Sequence, residues 1–124
     1  MWRLVARKSA LVLLAIVAGS AGAPAAELVF DITIEYGRVP DTMQLMRVHQ
    51  GDAVKLRWTS DRPLVLHLHG YDIEQRVAVG TVAEFTFTAY ATGRFPIEIH
   101  GAGAGARGQV HDDAPLAIIE VYPR

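Results

Sequence analysis

The stretch Pro63-Leu64-Val65-Leu66-His67-Leu68-His69-Gly70-Tyr71-Asp72 decides how the rest of the chain is read. Its side chains alternate with period two over Leu64–His69, the pattern of a half-buried β-strand. Leu64, Leu66 and Leu68 point into a core, while Val65, His67 and His69 point the other way. Two imidazoles at i and i+2 on one strand face can reach one metal ion or one anionic partner. A second stretch, Gly93-Arg94-Phe95-Pro96-Ile97-Glu98-Ile99-His100-Gly101, alternates in the same way. Phe95, Ile97 and Ile99 share its inner face, and Pro96, Glu98 and His100 share the outer one. If the two strands are neighbours, His67, His69, His100 and Glu98 gather on one sheet face.

Working outward, Glu27–Tyr36 carries Leu28, Phe30, Ile32 and Ile34 on one side and reads as a first strand. Met43–Val48 is a weaker strand, closed by the turn His49-Gln50-Gly51-Asp52. Ala53–Thr59 turns Val54, Leu56 and Trp58 inward, and Ile73–Val77 is a short strand ended by Gly80. Glu84–Ala89 sets Phe85 and Phe87 inward, and Leu116–Tyr122 is the last strand. Between His100 and that strand, Gly101–Gly108 is a glycine-alanine loop. Seven or eight short strands at regular spacing, with Gly and Pro turns and no helical period, predict an all-β sandwich of two packed sheets.

Residues 1–25 have a different character. Arg3, Arg7 and Lys8 precede an apolar run, Leu11–Ala18, and Ala23-Pro24-Ala25 forms an A-x-A site. This is the layout of a secretory signal peptide cut after Ala25, which leaves 26–124 as one domain, periplasmic or secreted. An uncleaved membrane anchor is the alternative, although the run is short for a span of ~20 residues. Three of the 12 basic side chains and none of the 13 acidic ones lie in 1–25, so the mature domain carries a formal charge of −4. No basic stripe suggests nucleic acid. With no cysteine, neither a disulfide nor a thiolate metal site can form.

Several landmarks occur in an order that resembles the cupredoxins. These are Gln50-Gly51-Asp52-Ala53-Val54 before a strand, Val79-Gly80 before Phe85-Thr86-Phe87, and Gly93-Arg94-Phe95 near the end. The resemblance runs from about Leu28 to Tyr122 and implies an exported Greek-key β-sandwich, in many members a blue-copper electron carrier. The family's first histidine ligand falls at Leu64 and its cysteine at Ile99. A blue-copper centre needs a cysteine thiolate with two histidines, so this chain is not such a carrier. His67-Leu68-His69-Gly70 is instead similar to the H-x-H-G motif of multicopper oxidases, whose histidines face away from the domain core. In their H-C-H motif, Ile99 replaces the cysteine, His100 matches the second histidine, and Glu98 stands where the first would be.

His67, His69 and His100 are therefore the candidate metal ligands, for copper first and zinc second; the alternative is a solvated polar strand face. Glu98 is expected to hold an imidazole N–H or to act as a further ligand. His111, beside Asp112 and Asp113, reads as part of a polar turn or as an extra ligand, and His49 as solvated. Tyr71 and Asp72 read as turn residues, with a hydrogen bond to His69 as their functional alternative. Met43 and Met46, on opposite faces of one strand, read as packing residues that cannot converge on Cu(I).

No catalytic constellation is visible. Ser60 is the sole serine outside the signal, and nothing places it in a triad. The expectation is an exported metal-handling protein that is not an enzyme. A metal-free interaction module meeting a periplasmic protein partner is the alternative, and a homo-oligomeric type 2-like copper enzyme the third reading.

Overall fold

The computed structural model describes residues 25–100 and 114–124. The predicted leader up to residue 24, the glycine-alanine loop and His111 lie outside the described residues. Eight strands follow one another: β1 Glu27–Ile34, β2 Leu45–His49, β3 Ala53–Ser60, β4 Leu64–Leu68, β5 Ile73–Val77, β6 Ala83–Thr88, β7 Gly93–His100 and β8 Ala117–Tyr122. They form a three-stranded sheet, β1-β3-β6, and a five-stranded sheet, β2-β8-β7-β4-β5. The all-β sandwich predicted from alternation is what the chain adopts. Among the described residues no helix is long and apolar enough to cross a membrane.

The inward rows build one core. Ile32, Leu56 and Trp58 of the small sheet join Met46, Val48, Leu66, Leu68, Ile97 and Ile119 of the large one, all at most 2% exposed. Removing each such aliphatic side chain from water stabilises the fold by roughly 1.5–3 kcal/mol. These rows are the same alternate positions that the sequence marks as apolar. β4 illustrates the rule, with Leu64, Leu66 and Leu68 buried and Val65 and His67 half-buried on the other face.

Two features depart from expectation. The second strand begins at Leu45 rather than Met43, because Asp41–Met43 forms a single 3-10 turn. Pro40 introduces that turn and accepts a 2.8 Å hydrogen bond from the Met43 amide, the kind of short helical turn that proline favours at its start. Met43 and Met46 thus do not sit on opposite faces of one strand; Met46 is buried and Met43 packs against the same core. Asp52, read as an ordinary turn residue, is only 1% exposed.

The sheets are mixed. β1 runs parallel to β3, and β2 parallel to β8, while β4 is antiparallel to both of its neighbours, β5 and β7. β4 and β7 are therefore adjacent interior strands of the large sheet, the condition the histidine pattern required.

Candidate metal centre

Register places the outward side chains. His67 lies directly across from Glu98, and Val65 across from His100. Opposed residues on one face stand about 4.5–5.5 Å apart at Cβ, with diagonal neighbours within reach of long side chains. His67 and Glu98 thus form one rung, with His100 and His69 diagonal to them on either side. His69 lies just beyond the end of β4, but its amide still donates to the Pro96 carbonyl at 3.0 Å. The ladder therefore continues far enough to keep its ring on the same face.

The three imidazoles converge. Each of His67, His69 and His100 offers one ring nitrogen, and these nitrogens all lie within 4.8 Å of one another. His67 Nδ1 is 3.2 Å from His69 Nε2. The ring centroids of His67 are 4.2 Å from those of His69 and 4.9 Å from those of His100. Tetrahedral nitrogen ligands bound at 2.0–2.1 Å stand about 3.3 Å apart, so the His67–His69 pair already has ligand spacing. His100, 45% exposed at its side chain, has room to close the rest of the gap.

Glu98 binds two rings at once. Its Oε2 lies 2.9 Å from His69 Nε2 and 3.4 Å from His100 Nε2. Hydrogen bonds from His100 and His69 hold the Glu98 carboxyl below the usual carboxylate range, against a smaller upward push from burial. An ionised carboxylate only accepts, so His69 Nε2 and His100 Nε2 are the donors. His67 Nδ1 lies 3.2 Å from the same His69 nitrogen. The Nε2 edge of His67 faces Asp72, whose Oδ1 is 3.5 Å away on a fully exposed side chain.

The turn after β4 supports this arrangement. Gly70 has φ +86, a left-handed conformation that glycine adopts without strain, and the ring of Phe95 packs where a side chain would be. Tyr71 does not reach His69. Its hydroxyl donates to the Ala91 carbonyl at 2.9 Å, and its ring packs against Phe87, Tyr90 and Phe95. Asp72, at φ +53, closes the turn and bends back to His67 rather than to His69.

Sequence reading brought His67, His69, His100 and Glu98 together correctly but assigned Glu98 one imidazole and missed Asp72 on His67. The four-residue link between Leu68 and Ile73, which pair across β4 and β5, is the signal for the latter. His49 ends β2 at the surface, with its ring 6.1 Å from that of Tyr122. Leu64 is buried, and Ile99 packs against the core. The core-facing positions where the cupredoxin pattern puts copper ligands are therefore aliphatic. The donor set left on the outer face is three imidazoles and one carboxylate, which suits Cu(II) or Zn(II) with an open position.

No family model and no curated protein matches the chain. Solved structures do. The blue copper oxidase of Nitrosomonas europaea superposes with a TM-score of 0.59 at 16% identity, over 79% of this chain and 39% of that one. The periplasmic domain of cytochrome oxidase subunit II (CoxB) of Bradyrhizobium japonicum gives 0.55 at 16% identity, over 82% and 86%. The copper-containing nitrite reductase of Thermus scotoductus gives 0.55 at 23% identity, over 79% and 28%. This chain spans well under half the length of the oxidase and the reductase. Likeness at these identities shows the fold, and the fold is that of the cupredoxins.

Proposed function

We propose that this protein is an exported cupredoxin-like domain that binds a transition metal, copper before zinc, through His67, His69 and His100, and that it handles that metal in the periplasm or outside the cell. The observation that carries the reading is the convergence of three ring nitrogens within 4.8 Å on the outer face of two interior strands. Neutral imidazoles favour copper among the divalent ions, and Glu98, hydrogen-bonded to His69 and His100, supports the reading as a ring-holding group or a further ligand. The copper-oxidase and nitrite-reductase neighbours share the fold, which supports a metal role. The aliphatic residues at Leu64 and Ile99 argue against blue-copper electron transfer.

Titration of the mature domain with Cu(II) and Zn(II) by calorimetry, with parallel EPR, tests this reading. One equivalent bound, with a nitrogen-rich type 2 spectrum that disappears when the three histidines are replaced by alanine in a folded domain, supports it. Weak, superstoichiometric binding that survives the replacement overturns it in favour of an interaction module. A metal-dependent change in size-exclusion volume would point to copies of the chain sharing the site.

A further inference from the structure

The buried carboxylate of Asp52 lies far from the histidine motif in sequence and is unused by it. Its oxygens are directed at one backbone nitrogen outside its own turn, that of Ala26, which donates to Oδ1 at 3.0 Å. Oδ2 accepts from the His49 amide at 2.8 Å, and the Arg124 guanidinium also bonds Oδ1. Ala26 is held from its other side too, since its carbonyl accepts from the Ala53 amide at 2.9 Å. Strand register explains the meeting. β1 and β3 pair in parallel from Glu27 and Ala53, so the residues just before them, Ala26 and Asp52, fall side by side.

Ala26 is also the residue that the Ala23-Pro24-Ala25 cleavage pattern exposes as a new N-terminus. Two independent observations, one in the leader and one in the sandwich, therefore meet on the same nitrogen. We propose that removal of the leader after Ala25 places the new α-ammonium of Ala26 on Asp52, so that processing converts an amide hydrogen bond into an ion pair that locks β1 to β3. Hydrolysis of the Ala25–Ala26 peptide bond by water leaves a carboxylate on Ala25 and an amine on Ala26, which is protonated near neutral pH. Where the precursor offers Asp52 one N–H, the processed chain offers three and a full charge. A carboxylate accepts at about four lone-pair sites, so the ammonium fits beside Arg124 and His49. Both Ala25 and Ala26 are exposed, which leaves the bond open to a peptidase. A cut one residue earlier would move the amine by roughly 3.8 Å, out of hydrogen-bond reach of the carboxylate.

The inference shares only the export step with the proposed function, and its readouts are independent of metal. The full chain is exported, purified, and its first residue identified by mass spectrometry. The unmodified α-amine is then titrated by NMR through the Cα and Cβ resonances of the N-terminal alanine in 13C-labelled protein. Lys55 supplies the only other amine of the processed chain, so the titration in this range is readily assigned. The expected result is a protein beginning at Ala26 whose α-amine titrates above the ordinary range of roughly 7.7–8.0, and returns to that range in Asp52→Asn. Should Asp52→Asn not fold, acetylation of the α-amine, which keeps an N–H and removes the charge, is expected to lower Tm by about 4 °C or more. A different first residue, an ordinary α-amine pKa, or an acetylated chain of unchanged Tm would each overturn the proposal.

Discussion

The ring of Phe95 stands in the space that a side chain at Gly70 would fill: a Cβ there would lie 2.7 Å from Phe95 Cε1. Gly70 also has φ +86, so alanine at this position meets both backbone strain and a clash. Gly70→Ala is expected to cost about 1–3 kcal/mol in urea unfolding and to weaken metal binding, because His69 is the next residue. A Gly70→Ala variant as stable as the parent would show that Phe95 yields without cost.

Glu98 bridges His69 and His100, so its charge and its shape are separable. Glu98→Gln keeps the shape. The side chain is 43% exposed, so stability is expected to change by less than about 1 kcal/mol. Copper affinity is expected to fall, because the carboxylate beside the His69 and His100 nitrogens loses the charge that would draw a cation to them. Calorimetry on the variant measures this, and an unchanged affinity would leave Glu98 without a role at the site.

The pH dependence of folding is expected to carry the signature of Asp52. Burial pushes this carboxyl upward, but the amides of His49 and Ala26 and the Arg124 guanidinium outweigh it and hold the group below the usual range. A carboxyl depressed in the folded state contributes stability that is complete above its unfolded pKa, near ~3.9, and is lost as pH falls through the folded value. Urea unfolding between pH 6 and pH 2 should therefore show a steep decline at the acid end that is shallower in Asp52→Asn. At neutral pH that variant should lose about 1–3 kcal/mol, since charged hydrogen bonds to a buried group are removed.

Leu66, 1% exposed, lies on β4 immediately before His67, facing the core. Leu66→Ala is expected to cost about 2–5 kcal/mol, the range for a large core aliphatic. Val29, 51% exposed on β1, should tolerate alanine within about 0.5 kcal/mol. Denaturation midpoints of the two variants check the assignment of faces.

Alternation made most of this molecule legible, because one buried face forces a period of two on every strand. It placed His67 and His69 on the outer face of one strand and Glu98 and His100 on the outer face of another, leaving open whether the two strands are neighbours. Strand order itself was less accessible. The parallel pairing of β1 with β3 depends on which strands meet across the sandwich, and alternation is blind to that choice. The burial of Asp52 follows from the same pairing, so read locally Gly51-Asp52 showed only a turn. Asp72 was missed for a different reason: its approach to His67 depends on the left-handed backbone of Gly70 and Asp72, which reverses the chain within four residues.

The strand order also governs the time over which the histidine face keeps its shape. β4 has hydrogen-bonded neighbours on both sides, β5 and β7, so the backbone of His67 does not lie on an edge. Amides in such a strand exchange with solvent mainly when larger cooperative units open, whereas those of edges and turns exchange through fraying. His67 and Leu68 should consequently be among the most protected amides of the domain, and His69, in the turn, less so. The cluster then combines one imidazole anchored on the slow timescale of cooperative opening with another carried where the ladder gives way to a turn. If the face binds a metal as proposed, the ion would meet a fixed imidazole first and gather the others by local motion.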